Sequence, residues 1–354
     1  MVESDNIIVA TAERIFADLA DSQTIINAKN DSWKAQVWQA LTDSGLTLAW
    51  VPEAQGGAGA GLDDGFGVLR AAGRAALAVP LAETMLAGWL LTQGGLSSPS
   101  GMMSIAPSLS HDRIVLDANG VLNGIARKVA FAREASHFAM IADTPNGPVV
   151  TLVDAASCQI SQGENLADEA RDTVKLIKVK PLAIAPTPAG FSADSLLLMG
   201  AAVRAQQMAG ALETMLAISV RYSTERIAFE KRISKFQAVQ HNLARLGGET
   251  AAAVAAACSA GDAAMAGSLD DDAGILEIAA AKIRCSEAVE RGGGIAHQVH
   301  GAIGYTDEHV LHRLTLRALS WRDDFGSESY WSVRLGEFVA SRGADELWPL
   351  VASR

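Results

Sequence analysis

RYSTERIAFEKRISKFQAVQHNLARL, residues 221–246, reads as the end of one helix, a short break and the start of a second. A helical run over residues 209–222 leads into it, and Phe236, Val239, Leu243 and Leu246 follow at helical spacing. Arg226, Phe229, Lys231 and Gln237 stand near the joint. A planar guanidinium can bond two oxygens of a diphosphate at once. Phe229 can supply apolar contact to a flat ring, and Gln237 can both donate and accept. Lys231 is a point charge without the fork and reads as solvated. A plainer reading, a charged helix–helix turn around a core phenylalanine, remains open at this point.

Working outward, the chain of 354 residues has length for two or three domains and a sizeable core. Hydrophobic residues make up 49%, which excludes a disordered chain. A formal net charge of −11 argues against nucleic acid or an anionic membrane as the main partner. Cys158, Cys258 and Cys285 lie far apart without metal-ligand spacing, so buried free thiols and no metal are expected. His309 and His312 sit three apart, but no carboxylate completes a ligand set, and with His300 they read as surface or capped residues. No apolar run approaches the roughly 18 residues of a membrane span. The first ten residues, MVESDNIIVA, lack the layout of a signal peptide, so a cytoplasmic location is expected.

The texture of the chain changes twice. Residues 1–98 read as helical: Ile15, Phe16 and Leu19 form one stripe, and Trp33, Val37, Trp38 and Leu41 a second, with both tryptophans in the core. Gly45 stops that helix. The stretch VPEAQGGAGAGLDD, residues 51–64, has no Walker lysine and no flanking strand, so it is not a phosphate loop; Asp63 and Asp64 can cap the next helix. Residues 99–190 alternate with period two, with Asn119-Gly120 and residues 144–148 as hairpin turns, which makes a small, mostly antiparallel β domain. Pro181, Pro186, Pro188 and Gly190 read as a linker. Residues 191–354 are helical again, with long runs over 195–222, 235–266 and 273–300, a turn at Gly267 and Asp270 to Asp272, and a fourth helix over 308–319, the set expected of an antiparallel bundle. The class is α+β, mostly α.

Three stretches together resemble one family. Residues 221–246 resemble the Y…ER..F…..FQ..Q..LA flavin signature of the acyl-CoA dehydrogenases. Residues 51–64 agree in the right order, and QVHGAIGYTDEHVLHRLTLRA, residues 298–318, is similar to the family's Q.HGG.GYT.E.P..R..RDA segment. The resemblance implies the acyl-CoA dehydrogenase fold: an N-terminal helical domain, a small middle β domain and a C-terminal four-helix bundle through which subunits associate. It implies FAD between the β domain and the bundle, with its diphosphate and adenosine end reaching a neighbouring subunit. Carried over by motif, Arg226, Phe229 and Gln237 would hold the neighbour's FAD, and Gln298, Gly301 and Gly304 would approach the same cofactor from the other side. The implied reaction is α,β-dehydrogenation of an acyl-CoA thioester, in which a glutamate takes the α-proton, the flavin takes the hydride, and an electron-transfer flavoprotein is the acceptor.

The sequence departs from that pattern where the base should be. Aligned from Gly304, the family's Y-E-G-T string becomes Asp324-Phe325-Gly326-Ser327, with Phe325 in the glutamate position. The alternative base position, counted back from Arg226, falls on Gly200. Neither residue can accept a proton; Asp324 and Glu328 are the nearby carboxylates. The T-E-P-G-x-G-S-D loop and W-I-T strand of the family correspond to GMMSIAPSLSHDR and ARKVAFARE, and neither string is retained. These features resemble divergent actinobacterial-type members, some of which pair a catalytic subunit with a degenerate one. Three readings follow: an FAD-dependent dehydrogenase with a relocated base, a non-catalytic subunit that completes a partner's FAD site in a hetero-oligomer, and a flavin-free helical scaffold.

Overall fold

The computed structural model describes residues 6–28, 30–267, 269 and 271–352; the first five residues of the leader reading and Asp270 of the expected turn lie outside these. Five helices open the chain: α1 (Ile7–Leu19), α2 (Ser22–Asn27), α3 (Ser32–Asp43), α4 (Leu62–Arg74) and α5 (Leu81–Gln93). The stripes found in the sequence are the buried faces, with Ile15 and Phe16 on α1 and Trp33, Val37 and Leu41 on α3. Trp38 is only half-buried, one position beyond that stripe. Gly45 leaves α3 in the left-handed conformation (φ 74°). The cap of α4 is Gly61, whose N–H donates to the Asp64 carboxylate, so the two acids sit in the first turn rather than at the cap.

Eight strands form one sheet: β1 (Met103–Ala106), β2 (Arg113–Leu116), β3 (Leu122–Ala130), β4 (His137–Thr144), β5 (Gly147–Asp154), β6 (Gln159–Ser161), β7 (Arg171–Val179) and β8 (Ala183–Pro186). The order is β6-β7-β3-β2-β4-β5-β8, with β1 beside β4; β1 and β2 run parallel to β4, and the remaining pairs are antiparallel. Both expected hairpin turns are present, β2–β3 and β4–β5. The proline-rich segment read as a linker contains β8. An edge strand tolerates proline because its outer N–H has no ladder partner, and Pro186 sits opposite Val149 on that edge. The sheet is buried on both faces. Along β4, Ala139 and Ile141 join the helical core, while Phe138, Met140 and Ala142 belong to a second core on the opposite face. Helix α5 lies between the N-terminal helices and the sheet, which explains its apolar run on all sides.

The C-terminal helices are α6 (Ala193–Glu225), α7 (Gln237–Ala266), α8 (Asp272–His300), α9 (Leu311–Asp323), α10 (Glu328–Arg342) and α11 (Leu347–Ala352). Helices α6 to α9 make the expected four-helix set; α9 begins three residues later than expected, because residues 306–310 are turns that follow a tight 3-10 turn at 301–305. Helices α10 and α11 are additional. Helix α6 is the axis of the molecule and crosses α4 at backbone contact. A Cβ at Gly73 would lie 2.2 Å from the Gln207 carbonyl oxygen, and one at Gly210 would lie 2.1 Å from that of Arg70. All three cysteines are free thiols as expected, but only Cys285 is buried; Cys158 is half-buried and Cys258 exposed on α7.

Candidate functional site

The turn after α9 brings together the two positions where a base was sought. Phe325 has φ 53° and is 3% exposed. Its ring lies on the backbone of α6 at Gly200, where a Cβ would sit 2.3 Å from Phe325 Cγ. The two positions are therefore one contact, with the Phe325 ring filling the space a side chain at position 200 would need. The turn is held from behind: Trp331 Nε1 donates to the Phe325 carbonyl at 2.9 Å, and buried Lys282 donates to the carbonyls of Arg322 (2.6 Å) and Gly326 (2.9 Å).

A buried charge quartet closes the rest of the slot. Asp324 accepts from Arg171 Nη2 of β7 (2.7 Å) and from Arg204 Nε of α6 (2.9 Å). Arg204 donates onward to Glu83 of α5 (2.6 Å) and Gln207 (2.5 Å), and its guanidinium carbon lies 5.6 Å from the Phe325 ring centre. Burial raises the Asp324 carboxyl, but Arg171 and Arg204 outweigh it and hold the group below the usual carboxylate range. Asp324 is thus a fixed anion with two cationic donors, unsuited to taking a proton. Glu328 opens α10, lies 3.3 Å from Arg322 Nη2 and is outside the slot. The cavity left among Glu83, Ser104, Ser108, Lys128, Arg204 and Phe325 measures about 10 Å³. Ligand sites run to roughly 300–1,000 Å³, so neither an acyl thioester nor a flavin ring fits this chain's own slot. Beside it, Arg317 of α9 donates to Glu169 (2.6 Å) and the Ala76 carbonyl (2.5 Å), a second clasp between sheet and bundle.

The other end of α6 is open. Beyond Glu225 the chain turns through a two-residue hairpin, β9 (Ile227–Ala228) and β10 (Lys231–Arg232), that the sequence read only as a break. Its loop residues, Phe229 (φ 51°) and Glu230 (φ 64°), are both left-handed. Hairpins of this type favour Asn and Gly there, so a phenylalanine marks a position kept for another reason. Phe229 is 89% exposed and Ile227 62% exposed, which overturns the reading of a core phenylalanine. Arg226 is exposed, and its side chain makes no hydrogen bond or ion pair among the described residues. Gln237 and Gln298 are exposed as well. Tyr222 stacks on His300 at 4.6 Å, which joins the end of α6 to the end of α8. Residues 226–237 and 298–301 therefore lie toward one end of the molecule. Gly301 has φ 67° with open space where a Cβ would lie, whereas a Cβ at Gly304 would meet Leu311, His300 and His297 at 3.0–3.2 Å. Gly301 is open to a ligand; Gly304 is a packing glycine.

Beneath this platform lies a histidine cluster, of which His300, His309 and His312 read in the sequence as surface or capped residues and His297 is not singled out there. His300 and His297 are buried. His300 Nδ1 bonds the Ala296 carbonyl and His297 Nε2 bonds Thr315 Oγ1, whose hydroxyl is donated to the Leu311 carbonyl. These contacts fix the neutral tautomers and leave His300 Nε2 and His297 Nδ1 as buried lone pairs with no hydrogen-bond partner among the described residues. Burial lowers the pKa of both and of His309, with neighbouring cations and imidazoles adding to it for His297 and His309. No group of His, Cys, Asp or Glu among the described residues is arranged to hold a metal, and no helix among them is long and apolar enough to cross a membrane.

The platform suits the outer part of FAD: an unpaired arginine for the diphosphate, an exposed aromatic ring and an open glycine turn. The filled slot does not suit the flavin ring. Residues 191–328 match the family described as acyl-CoA dehydrogenase, C-terminal domain. Acyl-CoA dehydrogenase IpdE2 of Mycobacterium tuberculosis is 27% identical over 295 residues, covering 82% of each chain. Among solved structures, a variant of the Tcur3481-Tcur3483 steroid ACAD superposes with TM-score 0.81 at 25% identity, over 94% of this chain and 97% of that one. A chain of the ChsE4-ChsE5 complex from Mycobacterium tuberculosis also gives 0.81, at 23% identity over 97% and 99% of the two chains, and supports the fold.

Proposed function

The chain is a member of the acyl-CoA dehydrogenase family, and from that premise we propose that it is the non-catalytic subunit of a hetero-oligomer, completing the FAD site of a related dehydrogenase chain. The observation that carries this reading is the slot: Phe325 lies on Gly200 with no carboxylate free to act as base, and about 10 Å³ remains beside them. The intact open platform points the same way, since a purely structural scaffold has no use for an unpaired Arg226 and a solvent-facing Phe229 on a left-handed backbone. In this assembly Arg226 grips the diphosphate, and Phe229, Gln237, Gln298 and Gly301 surround the adenosine end. FAD, when bound, supplies the hydride acceptor. The partner chain supplies the base and the acyl-CoA pocket, and the reduced pair passes electrons to an electron-transfer flavoprotein. Two of the structural relatives are named as two-component assemblies, one of them a steroid ACAD, so a steroid acyl-CoA is the first substrate class to test. A relocated base is not favoured, because Asp324 and Glu328 are both engaged by arginines.

The test is spectroscopic. Purified alone, the chain should hold substoichiometric FAD, and acyl-CoA should not bleach it. Co-purified with its dehydrogenase partner, it should give a stable flavin spectrum that acyl-CoA bleaches, and Arg226→Ala should lower the flavin content of the pair. Bleaching by the chain alone, abolished by Asp324→Asn or Glu328→Gln, would restore the relocated-base reading.

A further inference from the structure

The β9–β10 hairpin has two faces. The register Lys231↔Ala228 and Arg232↔Ile227, with Ile233 opposite Arg226, puts Arg226, Ala228, Lys231 and Ile233 on one face and Ile227 and Arg232 on the other. Lys231 is therefore the neighbour of Arg226, and it is not free in solvent. Its ammonium sits 4.3 Å from the centre of the Phe236 ring, which in turn packs edge-on against Phe229 at 6.3 Å. A cation over a ring is held in place with its N–H groups still unspent. Lys231 makes no ion pair among the described residues, and neither does Arg226. In a chain of net charge −11, where carboxylates outnumber bases and most of the described arginines are ion-paired, Arg226 stands apart. The stretch 221–246 nevertheless carries six bases and two acids. Glu225 and Glu230, which flank the face, leave both cations alone.

We propose that Lys231 is a second phosphate-binding residue, so that the hairpin grips a diphosphate at two points, Arg226 and Lys231. Diagonal cross-strand neighbours stand roughly 7–8 Å apart at the backbone, a gap that two long side chains close on two linked phosphates. The inference rests on the reading of this end as an FAD half-site and adds to it a residue whose sequence position gave no reason to select it. Arg232, on the opposite face beside exposed Ile227, is left to contact protein.

The experiment titrates the purified chain with inorganic diphosphate and inorganic phosphate at low ionic strength by calorimetry. Wild type should prefer diphosphate; Lys231→Ala should weaken diphosphate binding by about three- to tenfold while leaving phosphate binding almost unchanged, as expected for one charge-assisted contact. Lys231→Arg should retain the affinity. Lys235→Ala, which removes the same charge from the turn beyond this face, should change it less than about twofold, since diffuse charge is screened. Equal losses for Lys231→Ala and Lys235→Ala, or no loss for Lys231→Ala, would overturn the two-point grip. If Arg226→Ala alone abolishes binding, Lys231 is excluded and the half-site stands; if neither variant matters, both fail. Displacement of diphosphate by FAD supports the cofactor assignment, and stronger displacement by coenzyme A would overturn it while keeping the grip.

Discussion

Replacing Asp324 with asparagine should destabilise this protein without touching its chemistry. Asp324 is the shared anion of Arg171 and Arg204, with side chains 6% and 1% exposed. Asparagine keeps the shape, but among the described residues Arg171 loses its one carboxylate ion-pair partner and Arg204 keeps only Glu83. Lys282, close behind, adds to the uncompensated positive charge. Removing one partner of a buried ion pair costs about 3–5 kcal/mol. With an unfolding entropy of roughly 2.1 cal/mol/K per residue over this length, each kcal/mol shifts Tm by about 1.3 °C, so the variant should melt about 4–7 °C lower. Acid should mimic the substitution. The Asp324 carboxyl is held below its unfolded value, so its stabilisation is complete above about pH 4 and is lost as pH falls through the lower folded value. The assay is thermal unfolding of wild type and Asp324→Asn at pH 7 and at about pH 2–3, below the unfolded carboxyl value. Their difference should be large at pH 7 and shrink in acid. An unchanged Tm at pH 7, with a loss of flavin bleaching instead, would refute the reasoning and return Asp324 to catalysis.

Three further outcomes follow from the same contacts. Gly200→Ala should be destabilising by about 1–3 kcal/mol, as overpacking is, and Phe325→Leu should relieve part of it; paired melting curves decide. Burial pulls the Lys282 amine from 10.5 to about 7. The unfolded chain then binds the extra proton between those values, so this group makes stability rise with pH from about 7 towards 10, and Lys282→Met should flatten that slope in urea titrations. His297, His300 and His309 are lowered by burial from an ordinary 6.5. The unfolded chain protonates them first, so stability should fall as pH drops below about 6.5. His300→Phe, which keeps the stack on Tyr222, should weaken that dependence in melts at pH 7.5 and 5.5.

What the sequence disclosed was periodic or local. Trp33, Val37 and Leu41 could be read as a buried stripe, and Asn119-Gly120 as a hairpin, because helix period and turn chemistry are written in neighbouring residues. The platform was legible for the same reason: Arg226 to Gln237 is one contiguous stretch. Strand β8 was hidden because its prolines signal a linker in isolation and are permitted only by its place at an edge. Arg171, Arg204, Glu83 and Asp324 come from four elements, and each alone resembles a solvated surface charge; only tertiary contact makes them a lock. The same holds for Gly200 and Phe325, found separately as two vacancies for a base and now seen to be one contact. The burial of His297 and His300 was likewise set by α9 and Tyr222, which no local pattern announces.

That contact also makes positions 200 and 325 interdependent. While Phe325 keeps its ring, any side chain at position 200 must enter the space the ring holds. While position 200 is glycine, replacing Phe325 opens a void against α6 and exposes the quartet beneath it. A glutamate placed at either position alone would meet a filled or charged surface. Positions 200 and 325 thus behave as one unit, and a change at either is felt as strain or as a void at the other.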